Sequence, residues 1–276
     1  MNKQAIWAIA KKDIRGITSN SQVWIGFIVT PLLFCILLPA GLILAAKYMD
    51  VTDQNLSAIL YKILKNLPNG KLKHSIQMLP SINHQILFVG INFFLGSLFL
   101  MVPCLNSMMI ATNSFVGEKE RRTLESLLFA PITVKDLFIG KVLAAFIPVM
   151  ALTAGSFIIF VIVADALTYS MFEKLLLPNT NWFLLIFWLS PIISLLTILF
   201  SVMVSAKVQS FQAAQQFGGV IILPIILLIV SQSSGLLILQ PLAVFLIGIG
   251  LLVVCLLLLR QITKWNNRSI LFEKQV

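Results

Sequence analysis

The sequence predicts an all-α integral membrane fold with six transmembrane helices, and three observations predict it. Of the 276 residues, 59% are apolar and only 11% are charged, against about 45–50% and about 25% in ordinary soluble domains. Mean hydropathy is +0.98, so a water-borne globule would expose more apolar surface than it could cover. The apolar residues also gather into six runs, each near the roughly 20 helical residues that cross a hydrocarbon core about 30 Å thick. Most soluble enzymes and free nucleic-acid binders are thereby excluded, and no nucleic-acid partner is expected. The net charge of +10 bears on membrane sidedness rather than on DNA. The whole chain, 1–276, reads as a single transmembrane domain.

The first element is an N-terminal amphipathic interfacial helix within residues 1–22. Ile6, Trp7, Ala10, Ile14 and Ile17 recur at helical spacing, with Lys3, Lys11, Lys12 and Arg15 around them. Such a helix lies in the membrane interface with its cations toward anionic lipid headgroups. The spans follow at 23–46, 86–114, 137–164, 182–206, 209–231 and 236–259. The fifth is the most polar at its start, where Gln209, Gln212, Gln215 and Gln216 fall. Trp24, Trp182 and Trp265 stand at span ends, where an aromatic belt would place them. With both termini inside, 14 of the 20 basic residues fall on the inner side, which agrees with the positive-inside rule. Cys35, Cys104 and Cys255 each lie within an apolar run and read as small fillers.

Residues 47–85 form an extended extracellular loop between spans one and two. Leu56, Ile59, Leu60, Ile63, Leu64 and Leu67 make one apolar stripe, led by Asp53 and closed by Pro68, Asn69 and Gly70. This predicts a helix on the outer leaflet or over a translocation path, or a lid packed on its own protein, with Lys62 and Lys65 available to phosphate or an acidic molecule.

No Asp, Glu, Lys, Arg or His occurs between Ile86 and Gly117, between Val142 and Ala164, or between Val208 and Leu259. Ion-coupled carriers and intramembrane hydrolases need such groups at depth, so both are disfavoured. The phosphate-binding pattern G-x-x-x-x-G-K is missing too, because Lys65 and Lys135 stand where Gly70-Lys71 and Gly140-Lys141 would need a glycine. The chain is expected to be no enzyme and to hold no cofactor of its own. In the second span Asn92, Asn106, Ser107, Thr112 and Asn113 are the polar residues, expected to line an interface or a pathway, with Asn92, Asn106, Ser107 and Asn113 as the pathway candidates.

Between spans two and three lies a cytoplasmic loop, 115–136. Glu118, Lys119, Glu120, Arg121, Arg122 and Glu125 mark the exit from lipid. Leu124, Leu127 and Leu128 then recur at i, i+3 and i+4, the face of a short helix that Pro131 ends. Thr133 and Asp136 supply a start signal for the third span. An apolar stripe of three leucines needs cover, from a partner, from the chain's own spans or from headgroups, since each buried leucine is worth about 1.5–3 kcal/mol.

The run GEKERRTLESLLFAPITVKDLFIGK, 117–141, resembles the signature loop of the permease subunits of type-two ABC exporters. The matching residues are Glu118, Glu120, Arg122, Thr123, Glu125, Leu127, Leu128, Pro131, Gly140 and Lys141. A weaker likeness is Ala206-Lys207-Val208-Gln209-Ser210, followed by Ala213-Ala214-Gln215-Gln216. The resemblance implies that the short helix is a coupling helix docked on a separate cytoplasmic ABC ATPase, present in two copies, which binds ATP and Mg. Its contact residues would be Glu118, Glu120, Arg121, Arg122, Thr123, Leu124, Glu125, Leu127, Leu128 and Pro131. The interfacial helix, with Trp7, Lys11, Lys12 and Arg15, would form a wall of the groove that receives the ATPase. The resemblance further implies a second permease copy or paralogue, a bacterial cell membrane, and export of an amphipathic or hydrophobic cargo such as a peptide, an antibiotic or a lipid. Two other readings fit the composition: a polytopic membrane enzyme using His74 or His84 at the outer surface, and a non-transporting immunity or assembly protein.

Overall fold

The computed structural model of the chain describes residues 2–19, 21–48, 54–66, 70–120, 133–208, 210–234 and 240–265. Helix α1 is Lys3–Ser19, and α2, the first span, is Val23–Tyr48. Two short helices at the far end of the bundle are α3, Gln54–Asn66, and α4, Lys71–Gln77. The remaining spans are α5 (Ile82–Glu120), α6 (Val134–Phe172), α7 (Thr180–Ser205), α8 (Phe211–Ser233) and α9 (Pro241–Trp265). The described residues contain no strand. Among the described residues six helices are long and apolar enough to cross a membrane, as the hydropathy runs predict.

Two spans are much longer than expected. Helices α5 and α6 each run 39 residues, or about 58 Å at 1.5 Å per residue, roughly twice a hydrocarbon core. Hydropathy locates where a helix leaves lipid but not where it ends, since a helix keeps its backbone paired in either medium. The third span continues past Ala164 to Phe172, and the second past Ser114 to Glu120. The sixth begins at Pro241, with proline at the position that has no hydrogen bond to lose.

Helices α5 and α7 form the centre. They bury 67% and 56% of their apolar windows, against at most 22% for the other spans. Lipid is as apolar as leucine, so close fit and hydrogen bonds decide which faces turn inward. Trp182 is the largest fully buried side chain. It packs on Phe99, Phe157 and Phe160 with ring centroids 5.6, 5.7 and 4.7 Å away. It therefore belongs to the core and not to an aromatic belt, whereas Trp24 is 43% exposed. Cys35, Cys104 and Cys255 are buried free thiols.

Some prolines accompany breaks in the helices, whereas Pro148 lies within the unbroken α6. A π-helical stretch, Leu32–Leu37, follows Pro31, and another, Leu185–Leu189, precedes Pro191. The Ser190 hydroxyl donates to the Leu185 carbonyl at 2.9 Å, serving a carbonyl near the distortion. Helix α8 is divided by a short 3-10 turn, Gly219–Ile222, ahead of Pro224. Several hydroxyls in the spans bond their own helix, as Thr153 does to the Val149 carbonyl and Thr197 to that of Ile193, both at 2.8 Å.

At the far end the predicted loop helix is present as α3, and α4 is an addition. Leu60 and Ile63 of α3 are buried against the chain's own spans; Asp53 and Leu67–Asn69 lie outside the described residues. Polar latches close this end. Asp165 accepts from the Leu176 and Leu177 backbone N–H groups at 3.0 and 3.1 Å. Lys47 donates to the Ser170 hydroxyl at 2.8 Å, and a ring nitrogen of His84 lies 3.2 Å from the Met171 carbonyl.

Span-to-span fit is tightest where Trp188 of α7 lies over Gly248 of α9. A β-carbon at 248 would fall 2.1 Å from the Trp188 indole nitrogen, which donates to the Phe245 carbonyl at 3.3 Å. Replacing Gly248→Ala is expected to cost about 1–3 kcal/mol through overpacking, read as a lower thermal midpoint in detergent, whereas Gly250→Ala, with open space around it, leaves the midpoint within a degree or two.

Candidate functional site

The charged end of the bundle, where α5 leaves and α6 begins, gathers ionic groups from three helices. The sequence sets this up through α1. Its buried face is Ile6, Ile9, Ala10, Asp13 and Ile17, a helical stripe that carries one carboxylate among apolar residues. Trp7 is 58% exposed and Ile14 half-buried, so the inward face is rotated from the one the aromatic residue suggests. Lys11, Lys12 and Arg15 lie on the exposed side.

Helix α1 docks along the first turns of α6, and Gly140 makes that possible. A β-carbon there would sit 2.9 Å from the Ile9 β-carbon and 3.0 Å from the Ile6 carbonyl oxygen. Thr133 caps α6 by accepting from the Asp136 N–H at 3.2 Å, as the start signal predicts. The Asp136 carboxylate turns instead to the Asn2 N–H, 3.4 Å away, so it holds the start of α1.

One turn on, Lys141 is 1% exposed. Its ammonium donates to Glu118 of α5 at 2.5 Å, to the Ser114 carbonyl at 2.6 Å and to Asp13 of α1 at 3.4 Å. The Ser114 hydroxyl donates to the same Asp13 oxygen at 2.8 Å, and the Phe115 ring lies 5.3 Å below the ammonium. Lys12 completes the set by pairing with the other Glu118 oxygen at 3.0 Å. Two cations and two carboxylates thus close on each other. A buried charge is tolerable only when so matched.

The last turn of α5 reaches a fourth element. The Glu120 carboxylate accepts from the Phe211 N–H at 3.1 Å, and the Lys119 ammonium donates to the Val208 carbonyl at 3.3 Å. Both hold the link between α7 and α8. The arrangement joins helices: among the described residues the polar atoms of Lys12, Asp13, Ser114, Glu118 and Lys141 engage one another, while the second carboxylate oxygen of Asp136 is buried without a partner.

The sequence-predicted residues are thus divided. Glu118 and Glu120 lie in this site, with Lys12 at its rim. Arg121, Arg122, Thr123, Leu124, Glu125, Leu127, Leu128 and Pro131 lie outside the described residues. Among the pathway candidates, Asn92, Asn106 and Ser107 are buried inside the single chain, and Asn113 is half-buried. Asn92 accepts from the Asn179 side chain and donates to the Phe88 carbonyl at 2.9 Å. Asn106 donates to the Val102 carbonyl at 2.9 Å and accepts from Thr30 at 3.3 Å. Both asparagines tie helices together.

Sequence reasoning missed Asp13, Ser114 and the burial of Lys141. For Asp13 a signal existed: it is the only acidic residue among the first 49, and it shares the helical face of Ile6, Ala10 and Ile17. Nothing local marks Ser114, whose role depends on where α1 docks.

Two outcomes are expected from this geometry. Lys141→Met takes the ammonium from the buried Asp13 and from the half-buried Glu118, which keeps Lys12, and should cost about 3 kcal/mol, measured as a drop in thermal midpoint in detergent, with Asp13→Asn plus Glu118→Gln in the same chain restoring at least half of the loss. Gly140→Ala should destabilise the α1 contact by about 1–3 kcal/mol, read as faster proteolysis of α1, while Gly155→Ala in open space on the same helix should be neutral or stabilising by up to about 1 kcal/mol.

The comparison with known families gives the site its setting. Residues 7–273 match the family model described as ABC-2 family transporter protein. No curated protein matches the chain. With six apolar helices and a match over nearly its whole length, the chain belongs to the ABC-2 family of transporter proteins, as a multi-pass membrane permease of an ABC transporter whose partner is an ABC ATPase subunit.

Proposed function

We propose that this permease is one half of a dimeric export pathway in a bacterial cell membrane, driven by two cytoplasmic ATPase subunits. Those subunits hold ATP and Mg; this chain contributes no catalytic residue. Both termini and the 115–136 loop face the cytoplasm, in keeping with the basic residues gathered there. The short Leu124, Leu127 and Leu128 helix seats on the ATPase, with Arg121, Arg122, Thr123, Glu125 and Pro131 around it. Trp7, Lys11, Lys12 and Arg15 of α1 lie beside that groove, in the lipid interface.

The observation that carries this reading is the Lys141 network. It ties both stems of the loop, Glu118 on one side and Lys141 on the other, to each other and to α1. A displacement of the intervening residues then moves α1, α5 and α6 together, and passes through Lys119 and Glu120 to the start of α8. Such a rigid junction suits an element that receives force from another subunit; a loop resting in headgroups has no need of it.

The cargo is amphipathic or hydrophobic. A cavity of about 280 Å³ between α7, α8 and α9 is lined by apolar side chains such as Ile193, Ile225, Leu228 and Leu251, with Thr197 and Ser231 as its polar members. Among the polar residues of the second span, the half-buried Asn113 is the leading pathway candidate, since Asn92 and Asn106 are hydrogen-bonded within the chain.

Co-purification tests the coupling assignment. Leu127→Asp plus Leu128→Asp should remove at least 90% of the ATPase retained by the native chain in detergent, on the order of the energy of two buried leucines, with six-span folding intact by thermal midpoint. Undiminished retention would refute the docking role of these leucines.

A further inference from the structure

Gln232 carries an amide that the fold buries and leaves half matched. It lies in the last turns of α8 and is 2% exposed. Its Oε1 accepts from the Ser97 hydroxyl of α5 at 3.1 Å. Its Nε2 has no acceptor among the described residues. Exchanging the oxygen and nitrogen assignments does not remove the problem, because Ser97 can satisfy only one end of the amide.

The surroundings of this amide are apolar. Ile63 of α3 and Val89, Phe93 and Phe94 of α5 line a void with it, too narrow for a water molecule. None of these side chains can accept a hydrogen bond. Holding a donor there costs free energy that an apolar residue at position 232 would not. Two neighbouring features bear on what would repay it. Phe93 and Phe94 belong to the π-helical stretch Gly90–Phe94, a local widening of the helix of the kind found at functional positions. Ile63, 2% exposed, comes from α3, which stands outside the six spans and covers the void from the far end.

We propose that Gln232 is a cargo-recognition residue at the far end of the pathway, covered by Ile63 of α3 in the closed state seen here. With α3 lifted, the amide donates to a neutral carbonyl oxygen, ester or amide, of an amphipathic molecule whose apolar part lies against Phe93, Phe94 and Val89. Neutrality follows from the lining, because no cation faces the void and an ionised group would enter it unpaired. Ser97 orients the amide, and α3 closes over it when cargo has left. This deepens the permease reading and rests on it.

The test uses the native permease–ATPase complex in lipid nanodiscs and reads ATP hydrolysis against probe concentration. Two probes separate the sources of the carbonyl: a short-chain diacyl phosphatidylglycerol and an uncharged N-acetylated hydrophobic tripeptide amide. At least one is expected to stimulate hydrolysis. In Gln232→Leu its half-maximal concentration should rise about tenfold, the equivalent of about 1.4 kcal/mol, with unstimulated hydrolysis unchanged, while Gln232→His, which keeps an N–H donor, retains part of the response. A purely packing role predicts the reverse: Gln232→Leu raises the thermal midpoint and leaves the probe response alone. That result overturns the proposal, as does failure of both probes to stimulate a complex that hydrolyses ATP. Should Gln232→Leu not assemble, Ile63→Ala decides, since loosening the cover must lower the half-maximal concentration and an unchanged value refutes the idea. A native chain that retains no ATPase removes the parent reading and this one with it.

Discussion

A primary ammonium withdrawn from water has to be compensated where it stands, and Lys141 is compensated from two other helices at once. Asp13 comes from α1, Glu118 and Ser114 from the end of α5, and the lysine itself from the start of α6. None of these groups can leave without stranding a charge, so the three helix ends behave as one piece. The close approach at Gly140 serves the same end, letting α1 come near enough for a short Asp13 side chain to reach the ammonium. What joins the loop to the rest of the protein is therefore electrostatic at its centre and steric at its edge.

The far end is organised differently. Its latches are hydrogen bonds between neutral groups or single charges, such as Asp165 to two backbone N–H groups and Lys47 to Ser170. Each involves fewer partners than Lys141 does, so each can open at lower cost. Broken helices occur along the whole bundle, one of them, Asn113–Gly117, within the clamp itself. The 3-10 turn within α8 and the π-helical stretches in α2, α5 and α7 are places where a span can bend without its backbone losing partners to lipid.

Much of this was legible residue by residue. Six apolar runs correspond to six helices because the bilayer sets a length that composition must meet. The leucine and isoleucine stripe of the 47–85 loop became α3, and Thr133 caps α6 as its spacing to Asp136 foretold. The family likeness in 117–141 agrees with the match over 7–273. Where reading failed, the reason was common: a residue that resembled a local type turned out to serve a distant partner. Trp182 at a span end resembled an interfacial anchor and is the core of an aromatic nest. Lys141 resembled a topogenic inner-side cation and is buried.

Composition and periodicity, acting within a few residues or over one bilayer thickness, determined by themselves that this chain is helical, spans a membrane six times and carries its charge at the ends. Those properties depend on each residue's own affinity for lipid or water, which no fold is needed to express. Only the tertiary structure decided which polar residues face each other, how far α5 and α6 extend beyond the hydrocarbon, and that Asp13, Glu118 and Lys141, up to 128 positions apart, share one desolvated site. Those outcomes depend on the packing of distant helices, and the hydropathy of a residue carries no information about its partner.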